Sequence, residues 1–232
     1  MEAQRDAEVL RFLGRFRFVT DALLAERCGV SRQQMNRRLR RLAAAGLVER
    51  TPSPIEPRLN MLSRAGARAV DLPLRRAART VAQREHELAL VWLVIQLERA
   101  GGALVRTERE CRTLESAGVS RYSVPVSRPG REDERRWPDV VLEAEGRRSA
   151  LELELSPKGA TRLQAIADAY AAASYFDEVV FLAADASIAR RLARVAVASH
   201  PGLPAVAKLR VVPSPLLSGD DQKTIAAAIA HP

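Results

Sequence analysis

Two helical segments joined at a glycine constrain the fold of this chain more than any other feature. Thr20 is a helix cap in front of the segment 21–28, and Gly29 begins the turn that follows it. Ser31 is followed three positions later by a glutamine, which is the spacing of a capping box. The pattern therefore predicts a second helix over residues 31–45 and, with the first, a helix-turn-helix.

The second predicted helix has one apolar face and one polar face. Met35, Leu39 and Leu42 recur at positions i, i+4 and i+7, so this face is predicted to be buried. The opposite face carries side-chain types that hydrogen bond to base edges in the major groove, namely Arg32, Gln33, Asn36, Arg37 and Arg40. Arg41 is a further candidate for contact with phosphate. A solvated charged face is the alternative interpretation.

The residues after this helix predict a β-hairpin, or wing. Residues 47–51 have strand character, 52–57 form a proline-containing turn, and 58–62 return as a second strand. Arg50 and Arg58 flank the turn and are predicted to contact phosphate or the minor groove. Such contacts give an affinity that falls with salt concentration.

The positive charge of the chain is concentrated in its first third. Residues 1–80 contain 17 Arg and 8 Asp or Glu, whereas residues 81–232 contain 20 Lys or Arg and 20 Asp or Glu. This asymmetry is typical of a nucleic-acid-binding module joined to a neutral domain. The arginine-rich usage of a GC-rich genome is the alternative explanation.

The segment RLAAAGLVER and the later LSRAGARAV resemble the MarR-like winged-helix superfamily over about residues 5–72. The resemblance implies a DNA-binding domain that acts as a homodimer on two half-sites. We therefore predict a winged helix-turn-helix domain over 1–72, a basic linker over 73–83 and a second domain over 84–232.

The second domain has the pattern of an α/β (α+β) fold with mixed strand directions. The patterns predict helices over 85–100, 108–117, 160–174 and 188–199, and strands over 103–106, 139–145, 149–155, 179–183 and 209–212. The charged segment 128–136 is predicted to be a solvated loop.

The two central strands of this domain form a predicted hairpin that brings carboxylates together. A four-residue turn over 145–148 pairs Asp139 with Glu154 and Val141 with Glu152. Because strand side chains alternate, the three carboxylates share one face and leucines cover the other.

Carboxylates at this spacing repel one another unless a cation lies among them or the face is open to water. Hard oxygen ligands suit Mg²⁺ or Mn²⁺, so Asp139, Glu152 and Glu154 are candidate metal ligands. An ordinary hairpin with a polar outer face is an equally good interpretation.

The segment WPDVVLEAEGRRSALELELSPKGATRLQAIADAY resembles the core motif of the PD-(D/E)xK nuclease superfamily, in the form found in the replication-relaxation family of plasmid and mobile-element proteins. The resemblance implies a restriction-endonuclease-like αβββαβ domain. It also implies that Asp139 and Glu152 are catalytic acids, and it places Glu154 where the superfamily usually has lysine. Lys158 is then either a displaced catalytic lysine or a surface residue.

Other sites are disfavoured. The two cysteines, Cys28 and Cys111, lack the spacing of a zinc site, and no segment of the chain is apolar enough to enter a membrane. A cytoplasmic location is expected, and His86 is predicted to be structural.

Two functions remain open. The first is a double-stranded DNA-binding regulator of replication, transfer or transcription, with a nuclease-like domain that has become degenerate. The second is an endonuclease or nickase that uses Mg²⁺ or Mn²⁺, and the sequence leaves catalysis undecided.

Overall fold

The computed structural model describes residues 2–51, 58–73, 81–128, 131–156, 158–198 and 209–213. Contacts divide the chain into two units, residues 1–95 and 96–232. The turn predicted at 52–57 and residues 74–80 of the predicted linker lie outside the described residues, so the domain boundaries stay a prediction. Within the ranges above, no helix has the length and apolar character needed to cross a bilayer.

The first unit combines short helices with a small antiparallel sheet. Its elements are α1 (Glu2–Gly14), β1 (Val19–Thr20), α2 (Asp21–Cys28), α3 (Arg32–Ala44), β2 (Val48–Arg50), β3 (Leu59–Leu62), α4 (Arg64–Ala69) and the greater part of α5 (Val81–Ala100). The strands lie in the order β1, β3, β2, with Val19 paired to Asn60 and Val48 paired to Leu62. This arrangement confirms the predicted helix-turn-helix and the two wing strands.

The capping residues define the helix-turn-helix. The Thr20 hydroxyl accepts a hydrogen bond from the Leu23 N–H at 3.3 Å, which satisfies a free donor at the start of α2. Gly29 has a φ of 61°, a conformation that favours glycine at a helix end. The backbone N–H of Gln34 donates to the Ser31 hydroxyl at 3.2 Å and the Gln34 side chain accepts from the Ser31 N–H at 3.0 Å, so the predicted capping box is confirmed.

The core of the first unit contains the apolar face predicted for α3. Met35 and Leu39 are at most 1% exposed and lie in the same core as Leu13 and Leu24. β1 and α4 were not predicted, because two or six residues give too short a pattern to show a period.

The second unit contains one five-stranded sheet with helices packed on it. Its elements after α5 are β4 (Leu104–Thr107), α6 (Glu108–Ser116), β5 (Val124–Arg128), β6 (Arg131–Arg136), β7 (Val140–Ala144), β8 (Arg147–Glu154), α7 (Ala160–Ala172), β9 (Glu178–Ala183), α8 (Ala186–Ala198) and β10 (Leu209–Pro213). The strand order is β10, β9, β8, β7, β4. β7 is antiparallel to both of its neighbours, and β8, β9 and β10 are mutually parallel. The predicted mixed α/β architecture is confirmed.

The register of the central hairpin differs from the prediction. Glu145 and Gly146 form a two-residue turn with φ values of 50° and 76°, so Val140 pairs with Leu151 and Val141 pairs with Ala150. Continuing this register places Asp139 opposite Glu152 rather than Glu154. A shift of two residues leaves every side chain on its predicted face, so the carboxylates still share one side of the sheet.

The segment predicted as a loop over 128–136 contributes to a second sheet. β5 and β6 pair as an antiparallel ribbon, with Val124 opposite Arg136 and Val126 opposite Glu134. Val124 and Val126 are buried and α7 packs on β5. The loop prediction was wrong because β6 consists of charged residues and lacks the apolar pattern of a strand, while the buried apolar residues of the ribbon belong to its partner, β5.

Candidate nucleic-acid interface and carboxylate cluster

The polar face of α3 lies towards solvent because the opposite, apolar face of the helix is buried in the core. Four of its predicted base-reading residues are exposed and the fifth, Asn36, is half-buried; the exposed ones are Arg32, Gln33, Arg37 and Arg40. At about 100° per residue these side chains cover one side of the helix. The structure therefore brings together an interface of three guanidinium groups and two amides.

Arg41 has partners within the first unit that the sequence did not predict. Its guanidinium donates to Asp6 Oδ2 at 2.7 Å and to Glu2 Oε1, both on α1. Arg38 also pairs with Asp6, at 3.3 Å between Nε and Oδ1. These ion pairs hold α3 against α1 and direct Arg41 away from the polar face.

Arg50 is the centre of a polar network inside the first unit. Its Nη2 donates to Asp21 Oδ2 at 2.8 Å, its Nε donates to Asn60 Oδ1 at 3.0 Å, and its Nη1 donates to Asn36 Oδ1 at 3.2 Å. The Asn60 amide donates in turn to Asp21 Oδ1 at 2.7 Å and to the Val19 carbonyl at 3.0 Å. The network joins α2, α3, β2 and β3.

Arg58 is exposed at the start of the second wing strand and follows the undescribed residues 52–57. Its position beside the wing turn is the one predicted, and its contact with phosphate stays a prediction.

The carboxylates of the second unit are buried, although the sequence predicted an open or metal-bound face. Glu152 is 0% exposed and Glu154 is 2% exposed, and both project from β8 on the side of the sheet that α7 covers. Asp139 is half-buried, and its Oδ2 accepts the backbone N–H of Leu153 at 2.8 Å. β8 is therefore covered on both faces, as is usual for a central strand of an α/β sheet.

The Glu152 carboxylate is neutralised by a cation of the protein itself. It accepts hydrogen bonds from the Arg136 guanidinium, with Nε at 3.3 Å from Oε1, and from the Tyr170 hydroxyl. Burial raises the pKa of Glu152, and the Arg136 charge opposes that rise. Burial also raises the pKa of Tyr170 well above its usual range, with a further contribution from the Glu152 charge.

Glu154 is paired with a different cation from the one beside Glu152. Lys158, four residues later, donates to Glu154 Oε1, and its side chain is 22% exposed. Lys158 thus lies beside the carboxylates, and its partner is the residue that stands where the resemblance expects lysine. A catalytic role for Lys158 stays a prediction.

The arrangement of these acids does not fit a divalent cation. Hard cations need carboxylate oxygens directed at a common point, whereas Glu152 and Glu154 are directed at separate cations of the chain. Among the residues that the structure describes, no three acid, histidine or cysteine side chains form a group that holds a metal ion. The metal ligands named from the sequence stay a prediction that this geometry does not support.

Glu87 belongs to the first unit. Its Oε1 accepts the backbone N–H of Arg17 at 2.5 Å, and its Oε2 lies 3.8 Å from Arg17 Nε. The acid that follows His86 therefore supports the winged-helix unit.

Sequence reasoning missed the residues that complete both sites. Arg136 lay in the segment taken for a loop, and its only signal was its place three residues before Asp139. Tyr170 is buried on α7 with Leu163 and Ile166, and the helical period indicates its burial but not its hydrogen bond to Glu152. Asn60 is 0% exposed, and a single polar residue between apolar ones in β3 was its only signal.

Comparison with known proteins identifies the first unit. Residues 4–54 match the family model of the MarR family. The chain has no match among curated proteins. The chain therefore has a MarR-type winged-helix domain at its N-terminal end, in which α3 is the second helix of the helix-turn-helix.

Proposed function

We propose that this protein is a sequence-directed regulator that binds double-stranded DNA through α3. The observation that carries the proposal is the polar face of the second helix of a helix-turn-helix, which has three exposed arginines, an exposed glutamine and a half-buried asparagine. Arginine, asparagine and glutamine make the bidentate hydrogen bonds that distinguish base pairs in the major groove. The 17 arginines among residues 1–80 supply the charge that holds phosphate.

We further propose that the second unit is a nuclease-like domain of the kind found in replication-relaxation proteins of plasmids and mobile elements, and that it does not cut DNA. The sheet order, the antiparallel β7 and the acids at the ends of β7 and β8 support the αβββαβ assignment. The pairing of Glu152 with Arg136 and of Glu154 with Lys158 supports the loss of cleavage, because both acids are already neutralised. The process served is replication, transfer or transcription control.

Binding to duplex DNA is expected to be steeply salt-dependent. Contacts from Arg32, Arg37, Arg40 and Arg58 each contribute roughly −0.9 to the slope of log affinity against log salt, so a total slope of at least about −3 is expected. Fluorescence anisotropy on a labelled duplex between 50 and 300 mM salt measures it, and light scattering on the complex tests for two copies on two half-sites. Equal affinity for duplex and single-stranded DNA would contradict the proposal.

The alternative function is a metal-dependent DNA endonuclease or nickase, favoured by the position of Asp139 opposite Glu152 and of Lys158 beside Glu154. We expect no cutting of duplex, single-stranded or branched DNA with Mg²⁺ or Mn²⁺ present. Gel assays of the wild type beside Asp139→Asn and Glu152→Gln decide the matter. Metal-dependent cutting that both variants abolish, with DNA affinity unchanged, would establish the alternative.

A further inference from the structure

We infer that Arg50 is a specificity-determining positioning residue, which orients the Asn36 amide for base reading from inside the domain. The inference rests on the proposed DNA binding by α3 and assigns a new role to a residue whose sequence position suggested phosphate contact. The observation that supports this inference is the hydrogen bond from Arg50 Nη1 to Asn36 Oδ1 at 3.2 Å, which joins β2 to the polar face of α3.

Arg50 is itself held rigidly by the network around it. Asp21 accepts from Arg50 with one carboxylate oxygen and from Asn60 with the other, and Asn60 is fully buried. The Arg50 side chain is 12% exposed and that of Asp21 is 14% exposed. A buried network whose members are all hydrogen-bonded has one low-energy arrangement, so the guanidinium is fixed before any ligand arrives.

This geometry sets the orientation of the Asn36 side chain. A guanidinium only donates, so the atom of Asn36 that faces Arg50 must be its oxygen. The amide NH₂ group is then directed away from Arg50, and Oδ1 keeps a second lone pair. An asparagine with its oxygen and its NH₂ group both placed in this way has the donor and acceptor pair that recognises adenine through N6 and N7.

Contact with phosphate is disfavoured for Arg50 by this network. Three of its five N–H groups are donated to Asp21, Asn60 and Asn36, and its side chain is only 12% exposed. A turn of the guanidinium towards phosphate would also take the cation from Asp21, which is 14% exposed. Arg58, which is exposed immediately before β3, is not part of this network. The two wing arginines therefore have different roles: Arg50 orients Asn36, and Arg58 supplies charge for phosphate.

The test measures discrimination and salt dependence separately. The duplex that wild-type protein enriches from a random pool is the probe, together with its single-base-pair variants. The proteins compared are wild type, Arg50→Met, Arg50→Lys, Asn36→Ala, the Arg50→Met with Asn36→Ala double variant, and Arg58→Ala as the matched control. Circular dichroism and melting establish that each variant is folded.

Discrimination is the ratio of the affinity for the enriched duplex to the affinity for a duplex changed at one base pair. In Arg50→Met this ratio is expected to fall by about 5- to 150-fold at one base pair, while the slope of log affinity against log salt stays unchanged. Asn36→Ala is expected to lose the same discrimination at the same base pair, and the double variant is expected to lose no more than either single variant. Arg50→Lys keeps the charge without the planar fork and is also expected to lose discrimination. Arg58→Ala is expected to make the slope shallower by roughly 0.9 and to leave discrimination intact. If Arg50→Met is unfolded, Arg50→Lys gives the same comparison.

Two results would overturn the inference alone. One is a shallower salt slope in Arg50→Met or Arg50→Lys with discrimination between base pairs intact. The other is a double variant in which Arg50→Met reduces discrimination as much in the Asn36→Ala background as it does alone. A wild-type protein that enriches no sequence from the pool would instead reject the proposed function, and this inference with it.

Discussion

Replacing Arg37 and Arg40 together by alanine is expected to weaken binding to duplex DNA by about 100-fold or more. Both side chains are exposed on the polar face of α3, and each lost charged hydrogen bond costs roughly 1.5–3 kcal/mol. The loss of two phosphate contacts would make the salt slope shallower by roughly 1.8. Anisotropy titrations of both proteins at several salt concentrations measure both quantities.

The matched control is the double replacement of Arg5 and Arg11 by alanine. These arginines are exposed on α1 and their loss changes the net charge by the same amount. We expect this control to keep its affinity within a few-fold of wild type. Equal losses in the two double variants would mean that the overall charge, and not α3, binds the DNA.

Replacing Arg136 by methionine is expected to destabilise the second unit by about 3–5 kcal/mol. Glu152 is fully buried, so removal of its cation leaves an uncompensated charge beside Tyr170. Methionine keeps much of the arginine's apolar volume, which limits the change to the charge. Urea unfolding followed by the fluorescence of Trp137, in a Trp92→Phe background, measures the loss in the unit that contains the pair.

Adding Glu152→Gln to Arg136→Met is the control that separates charge from packing. The glutamine removes the buried charge and still accepts from Tyr170, so most of the lost stability is expected to return. If the double variant were as unstable as Arg136→Met alone, packing by the arginine side chain would account for the loss. If Arg136→Met lost less than 1 kcal/mol, the ion pair would have no structural role.

The parts of this molecule that the sequence predicted are those whose signals are local. Caps such as Thr20 and Ser31 lie within a few residues of the donors they satisfy, and the capping box at Ser31 formed as expected. The apolar face of α3 needed only the helical period. The alternation of β8 likewise placed Glu152 and Glu154 on one face whichever register the hairpin adopted.

The parts that the sequence did not predict depend on distant residues. Nothing near Glu152 shows that its cation comes from a ribbon sixteen positions earlier, because the charged run containing Arg136 has the composition of a loop. Asp21, Arg50 and Asn60 belong to three separate elements, and each is an ordinary surface residue type when taken alone. The turn at Glu145 was misjudged because a non-glycine residue rarely adopts positive φ.

The turn formed by Glu145 and Gly146 is exposed, yet its length determines on which face of the sheet each side chain of β8 lies. Surface loops usually tolerate insertions, since lengthening a loop costs little entropy. One residue added here, if the shift continued along β8, would rotate every side chain of the strand to the other face. Glu152 and Glu154 would then leave Arg136 and Lys158 behind, and leucines would take their places among the charges. An inserted residue is therefore expected to be tolerated at this turn only where a bulge absorbs it, because the length of the turn decides which side chains of β8 meet the two cations.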